Sequence, residues 1–252
     1  MLTAEQEGGQ IKAHKYWEEK MYGPLKLQYI SERRASLEPS LIHRHKERQQ
    51  SSRRRVTDPV GGRTTEPEAN VPPSSEQPYV IVRRFMLANM DQPFERMREI
   101  TQLQYSNWPD FGAPAHPAHL LGLVEQCDAV VRASTHSHIT GPEQADSRPV
   151  LVHCSAGCGR TGTFCTVDTV LDILRRQRMN QNTPRKANSA NAIALPDSED
   201  MSWVQRDNID LIEKTVEDFR LQRLSMVQSL RQFVLCYESV LEWLAEQQPK
   251  SA

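Results

Sequence analysis

Residues 153–162 read His153-Cys154-Ser155-Ala156-Gly157-Cys158-Gly159-Arg160-Thr161-Gly162. A cysteine heads a run of small residues, and an arginine stands six positions after it. The apolar Val150-Leu151-Val152 leads in, and Phe164, Val167, Val170, Leu171 and Leu174 follow at helical spacing. The segment therefore reads as strand, tight loop and helix. In such a loop the backbone N–H groups of Ser155, Ala156, Gly157, Cys158 and Gly159 converge on one point, at which the next helix also aims its positive end. This cradle suits a tetrahedral dianion, and the planar fork of Arg160 can grip two of its oxygens. The same field favours a thiolate, because helix N-termini and cations lower a thiol pKa of ~8.5 by several units. Cys154 is then a nucleophile at neutral pH, with His153 orienting the loop and the Thr161 hydroxyl beside the sulfur. The competing reading is a buried cysteine before a helix with Arg160 merely solvated, which the full ten-residue run disfavours.

Two other runs carry polar groups that could serve such a site. Trp108-Pro109-Asp110-Phe111-Gly112-Ala113-Pro114 follows Tyr105-Ser106-Asn107. Proline and glycine mark a loop, Trp108 can anchor it, and the lone Asp110 carboxylate is free to swing; by itself the run would be a plain turn. Met226-Val227-Gln228-Ser229-Leu230-Arg231-Gln232-Phe233 places Gln228 and Gln232 one helical turn apart, facing one side. Alone, that pair reads as ordinary helix surface.

A cysteine, five residues, an arginine and a hydroxyl residue form the signature of cysteine-dependent phosphatases. With the two further runs, the chain resembles the catalytic domain of tyrosine-specific protein tyrosine phosphatases, in a fungal-like form, over most of residues 1–33 and 79–248. The resemblance implies an α/β fold, a twisted mixed β-sheet flanked by helices, and hydrolysis of phosphotyrosine through a phosphocysteine intermediate with no cofactor and no metal. It assigns Asp110 as the acid that protonates the leaving tyrosyl oxygen and then the base on water. Thr161 eases departure of the sulfur, Gln228 positions the hydrolytic water, and Gln232 supports it. Met1 to Lys12 looks like the end of a central strand followed by the family's acidic loop, in which Glu7 pairs with the signature arginine and Lys12 reaches toward the acid loop. The family's N-terminal helices, several strands and tyrosine-bearing recognition loop have no counterpart in the sequence. The expectation is a single catalytic domain over 1–248, lacking its N-terminal part and interrupted by disordered inserts at about 34–78 and 179–202. Its substrate would be a phosphotyrosine-containing signalling protein, a MAP kinase by analogy with fungal relatives, met by a monomer in the cytoplasm or nucleus. A dual-specificity or phosphoinositide phosphatase is the alternative, as is a non-catalytic phosphotyrosine-binding module.

Bulk properties agree. The chain has 252 residues and a formal charge of −1, which gives no global nucleic-acid footprint. The cysteines at 127, 154, 158, 165 and 236 are odd in number with no secretory framework, and a thiolate nucleophile needs a reducing compartment, which is expected here. The first residues do not read as a signal peptide, and no stretch approaches the ~20 apolar residues of a membrane span. Cys127, Cys165 and Cys236 read as small buried hydrophobes. Cys158 reads either as a loop-lining side chain or as a resolving thiol for oxidised Cys154. The histidines show no zinc-ligand spacing. The first insert is basic and rich in Pro, Ser, Thr and Gln. It offers Ser36 and Thr57 just after paired arginines, as basophilic kinases favour. Strands are expected at Pro24 to Ser31 and Tyr79 to Leu87, where Val80, Val82 and Phe85 stand out. Apolar stripes predict helices through Leu120, Val124, Cys127 and Val131, through Ile209, Ile212, Val216 and Phe219, and through Phe233, Tyr237, Val240 and Leu244.

Overall fold

A computed structural model describes residues 1–38, 77–135, 149–182, 203–204, 206 and 208–248. Most of both expected inserts, Thr57 included, lies outside the described residues. In chain order the elements are β1 (Gln6–Glu7), β2 (Gln10–Ile11), β3 (Met21–Tyr22), β4 (Leu25–Ser36), β5 (Tyr79–Asn89), β6 (Arg98–Gln104), α1 (Pro117–Thr135), α2 (Gly159–Asn182), α3 (Leu211–Gln222) and α4 (Leu230–Glu246). They form two compact units, one of Met1, Thr3–Asn107 and Pro114–Gln126, the other of Leu2, Trp108–Ala113 and Cys127–Ala252.

The first unit is built on a four-stranded antiparallel sheet in the order β3-β4-β5-β6, beside the short β1-β2 hairpin. β4 runs along the whole of β5, from Leu25 opposite Asn89 to Ser36 opposite Tyr79, with a register shift between Tyr29 and Ser31. Both strands exceed the expected lengths, so the first insert starts later than residue 34. Ser36 closes β4, and its hydroxyl accepts the Glu38 N–H at 3.1 Å. β5 is central, and its buried side changes within the strand: Val80 and Val82 are buried, then Arg83 and Phe85 on the opposite face. Phe85 packs with Met1 and Trp17. The charge of buried Arg83 is met on every side. It donates to Glu32 (2.6 Å), Gln102 (3.0 Å) and Gln104 (2.6 Å), and its guanidinium lies over the Trp17 ring.

The second unit is helical among its described residues. α2 packs against both α3 and α4; Val167, Val170 and Leu171 are buried on α2, Ile212 and Val216 on α3, and Leu235, Cys236 and Val240 on α4. Asp210 caps α3 by accepting from the Ile212 and Glu213 N–H groups, a bond pattern contributing ~1 kcal/mol. All four expected helices form. On α4, however, the buried face is Gln232, Leu235, Cys236, Ser239, Val240 and Trp243, while Leu244 is exposed, so the inward stripe is rotated from the expected one. Cys236 is fully buried; Cys127 and Cys165 are only half-buried.

The α/β architecture, a sheet with helices, stands as expected. Among the described residues every recorded strand pair is antiparallel, and Val150-Leu151-Val152 joins no ladder. One backbone bond beside it, from Leu2 N–H to the His153 carbonyl at 2.8 Å, is too little to build a strand pair. α2 continues to Asn182, so the second insert also begins later than residue 179. Among the described residues no helix is long and apolar enough to cross a membrane.

Candidate active site

Cys154 is buried just ahead of the 24-residue helix α2, the longest among the described residues. The Gly157 N–H points at its sulfur from 3.2 Å. Burial alone would push the thiol up; the Thr161 hydroxyl, then the N–H groups of Thr161, Gly157 and Cys158, outweigh it and hold the thiol below its ordinary value. His153 is half-buried, its Nδ1 against the Cys154 carbonyl at 3.2 Å, and burial holds its ring below the usual histidine range. Ser155 and Ala156 lie exposed along the rim.

Two glycines on α2 are required by what lies against them. A Cβ at Gly159 would meet Oε1 of Gln228 and of Gln232, each at 2.8 Å. A Cβ at Gly162 would fall 2.5 Å from the Val227 nitrogen. The segment before α4 therefore rests directly on the first turn of α2 and brings both glutamine side chains to the anion cradle.

Arg160 is fully buried, and its fork is turned to the acid loop. Nη1 donates to the Trp108 carbonyl at 2.7 Å and Nη2 to Asp110 Oδ1 at 2.9 Å. The loop is braced from within: Trp108 is fully buried, its indole donates to the Gly112 carbonyl at 2.9 Å, and Gly112 N–H donates to the Pro109 carbonyl at 3.2 Å. Phe111, next to Asp110, is exposed and takes a left-handed backbone at φ 56°.

The two glutamines do not share a helix. α4 starts at Leu230 with Ser229 as its N-cap, and Gln228 precedes it. Ser229 Oγ accepts the Gln232 N–H, while Gln232 Oε1 accepts from the backbone of Ser229 and, at 3.0 Å, of Gln228. This capping box turns the chain out of helical geometry before Ser229, the physical reason that one-turn spacing misleads here. Gln232 is completely buried within it.

Glu7 and Lys12 belong to the first unit, at the β1-β2 hairpin. The Glu7 carboxylate accepts from Thr3 Oγ1 at 3.0 Å, and Lys12 N–H donates to the Glu5 carbonyl at 2.8 Å. Cys158 faces outward: its thiol reaches the Ala156 carbonyl at 3.5 Å and accepts from Arg223 Nε at 3.3 Å. Among the described residues no group of three or more His, Cys, Asp or Glu side chains could hold a metal ion.

Three residues of the site receive no role from the sequence alone. Arg223 braces the cradle from outside, donating to the carbonyls of Ala156 (2.8 Å) and Gly157 (3.0 Å). Arg220 clamps the carbonyls of Met226 and Val227, both at 2.9 Å, and so holds the left-handed Val227 (φ 59°) ahead of Gln228. Ser229 heads a Ser-x-x-Gln capping pattern that was visible in the sequence; nothing local distinguishes the two arginines from other charged helix residues.

The family profile described as Protein-tyrosine phosphatase matches residues 60–192, just over half of the chain. The chain is 32% identical over 162 residues to Tyrosine-protein phosphatase 3 of Saccharomyces cerevisiae, covering 64% of this chain and 15% of that protein. It is 43% identical over 93 residues to human Tyrosine-protein phosphatase non-receptor type 18, covering 36% and 18%. A solved structure reported as the structural basis of the PTPN18 fingerprint on distinct HER2 tyrosine phosphorylation sites aligns with a TM-score of 0.55 at 22% identity. That alignment covers 97% of this chain and 58% of the other, and it speaks to the fold. The chain thus spans less than a fifth of the length of both relatives. A family match across the nucleophile loop and acid loop, joined to the way Arg160 binds one to the other, places this chain in the protein-tyrosine phosphatase family.

Proposed function

We propose that the chain hydrolyses phosphotyrosine in proteins by two in-line displacements at phosphorus. The Cys154 thiolate attacks, forming an S–P bond as the P–O bond to tyrosine breaks, and Asp110 gives its proton to the departing oxygen. Water held by Gln228 then attacks the phosphocysteine. Asp110 takes back a proton, the S–P bond breaks, and inorganic phosphate leaves with the thiolate restored. The hydroxyl of Thr161 stabilises that leaving sulfur. The observation that carries this reading is the lowered thiol of Cys154 inside converging N–H groups, a setting built for an anion and a nucleophile together.

Within this reading the substrate is a phosphotyrosine-bearing signalling protein, a MAP kinase by analogy with fungal members, and the chain works as a monomer in the cytoplasm or nucleus. Similarity to yeast proteins described as tyrosine-protein phosphatases supports the phosphotyrosine part of that reading. The test compares release of phosphate from a phosphotyrosine peptide, a phosphoserine peptide and a phosphoinositide by the 252-residue chain and by its Cys154→Ser variant. Turnover confined to phosphotyrosine and lost with Cys154 is expected. Equal turnover of phosphoserine or lipid, or activity surviving Cys154→Ser, would overturn the reading.

A further inference from the structure

Ser229 stands between the acid loop and α4, and its one hydroxyl serves both. It donates to the Phe111 carbonyl at 2.8 Å and accepts the Gln232 N–H at 3.2 Å. A hydroxyl combines a donor with two acceptor lone pairs, so this side chain type can hold both partners together. Capping α4 requires only the acceptor; the bond to Phe111 is additional. It falls on a residue that needs holding, since Phe111 is a bulky residue in the left-handed region at φ 56°, a conformation that persists only where surroundings impose it. Phe111 directly follows Asp110, and Ser229 directly follows Gln228. The residue proposed to deliver the proton and the residue proposed to place the water are thus each one peptide unit from the same hydrogen bond.

We propose that Ser229 is a positioning residue, holding the acid loop so that Asp110 reaches the bound substrate and fixing that loop to the segment that carries Gln228. The inference rests on the proposed phosphotyrosine hydrolysis. Plain helix capping is the competing role, and the two separate by chemistry. Ser229→Asp keeps a strong N-cap acceptor but has no proton to donate and repels the Phe111 carbonyl. Ser229→Thr keeps both functions, and Ser229→Ala removes both.

Three readouts on the 252-residue chain decide it: thermal melting, amide hydrogen exchange over residues 108–113, and turnover of a phosphotyrosine peptide against an aryl phosphate with a good leaving group. Ser229→Asp should melt like the parent yet exchange faster over 108–113. Its kcat on the peptide should fall roughly tenfold, the scale of one lost hydrogen bond, with a smaller fall on the aryl phosphate, which needs little protonation. Ser229→Thr should restore all three. If Ser229→Asp folds poorly, Ser229→Gly, a tolerated N-cap without a hydroxyl, takes its place. Parent-like exchange over 108–113 in the Asp or Gly variant, with an unchanged ratio between the two substrates, would make Ser229 a cap and nothing more. Absence of phosphotyrosine turnover in the parent would overturn the proposed function instead, and the exchange measurement would still decide whether Ser229 holds the loop.

Discussion

The buried Arg160 guanidinium lies 2.9 Å from the Asp110 carboxylate and at the same time binds the Trp108 carbonyl at 2.7 Å. One fork therefore grips both ends of the Trp-Pro-Asp segment. In the proposed reaction the residue that would bind the phosphoryl oxygens also sets where Asp110 stands, so substrate binding and proton delivery would draw on a single side chain.

Arg160→Lys tests that double use. An ammonium keeps the charge but is a point donor without the planar fork, so it can satisfy one of the two loop contacts and not both. A hydrogen bond involving a charged group contributes ~1.5–3 kcal/mol, which corresponds to about one to two powers of ten in rate. Arg160→Lys should lose that much in kcat/KM, with kcat falling as well as KM rising, and amide exchange over 108–113 should quicken. A change in KM alone would show that Arg160 binds anions without setting the acid loop.

Asp110→Ala should lower kcat on a phosphotyrosine peptide by ~10²–10⁴, the range of general acid–base catalysis. The loss should shrink for aryl phosphates whose leaving groups depart unprotonated. Equal losses across a leaving-group series would remove Asp110 from the role of acid.

The local parts of this site were legible in the sequence and the tertiary parts were not. The Cys154–Gly162 run specifies its loop through small residues in direct succession, and α2 and α3 declare themselves through apolar spacing. β6 was hidden because Gln102 and Gln104, which alternate inward, are polar residues buried against Arg83. Without that arginine in view, nothing marks them as core. On α4 the same masking occurs, since fully buried Gln232 and Ser239 occupy inward positions that an apolar stripe would skip. Gln228 was placed on a helix because a spacing of four residues fits one; the capping box at Ser229, three-dimensional in its effect, ends the helix first.

The Cys154 thiol held below its ordinary value predicts a selective labelling pattern. Burial pushes Cys165 up to about 11 and Cys236 up to about 12. Near neutral pH, iodoacetate should therefore modify Cys154 well before either of them, and faster than neutral iodoacetamide does, because the cradle attracts its carboxylate. The stability linkage has a definite sign. The folded-state pKa is lowered, so ionised Cys154 contributes stability above the ordinary thiol value of ~8.5, and the contribution is lost as pH falls through the folded value. Melting curves of the parent and Cys154→Ser should diverge across that window and run parallel below it. Peptide mapping that finds Cys236 or Cys165 labelled first would refute the assignment of a thiolate at Cys154.

The two glycines of α2 should respond differently to the same added methyl group. At Gly162 the new Cβ meets backbone, the Val227 nitrogen at 2.5 Å and the Met226 Cα and carbonyl carbon at 3.1 Å. Val227 is buried, β-branched, left-handed at φ 59° and pinned through its carbonyl by Arg220, so it has little room to retreat. Overpacking costs ~1–3 kcal/mol, against a gain of at most ~1 kcal/mol from replacing a helical glycine by alanine. Gly162→Ala should therefore lower the melting temperature as well as turnover. At Gly159 the obstacles are the amide ends of Gln228 and Gln232. Gln228 can swing aside, leaving the place that the proposed reaction gives the hydrolytic water, but Gln232 is fully buried with its Oε1 held in the capping box, so it yields only by losing those bonds. Gly159→Ala should lose melting temperature through Gln232, and its turnover should slow with the phosphocysteine accumulating in rapid-quench samples, because the second displacement is the step impaired. A Gly162→Ala chain as stable as the parent would mean that the Val227 segment yields freely. A Gly159→Ala chain slowed only in forming the phosphocysteine would detach Gln228 from the hydrolytic step.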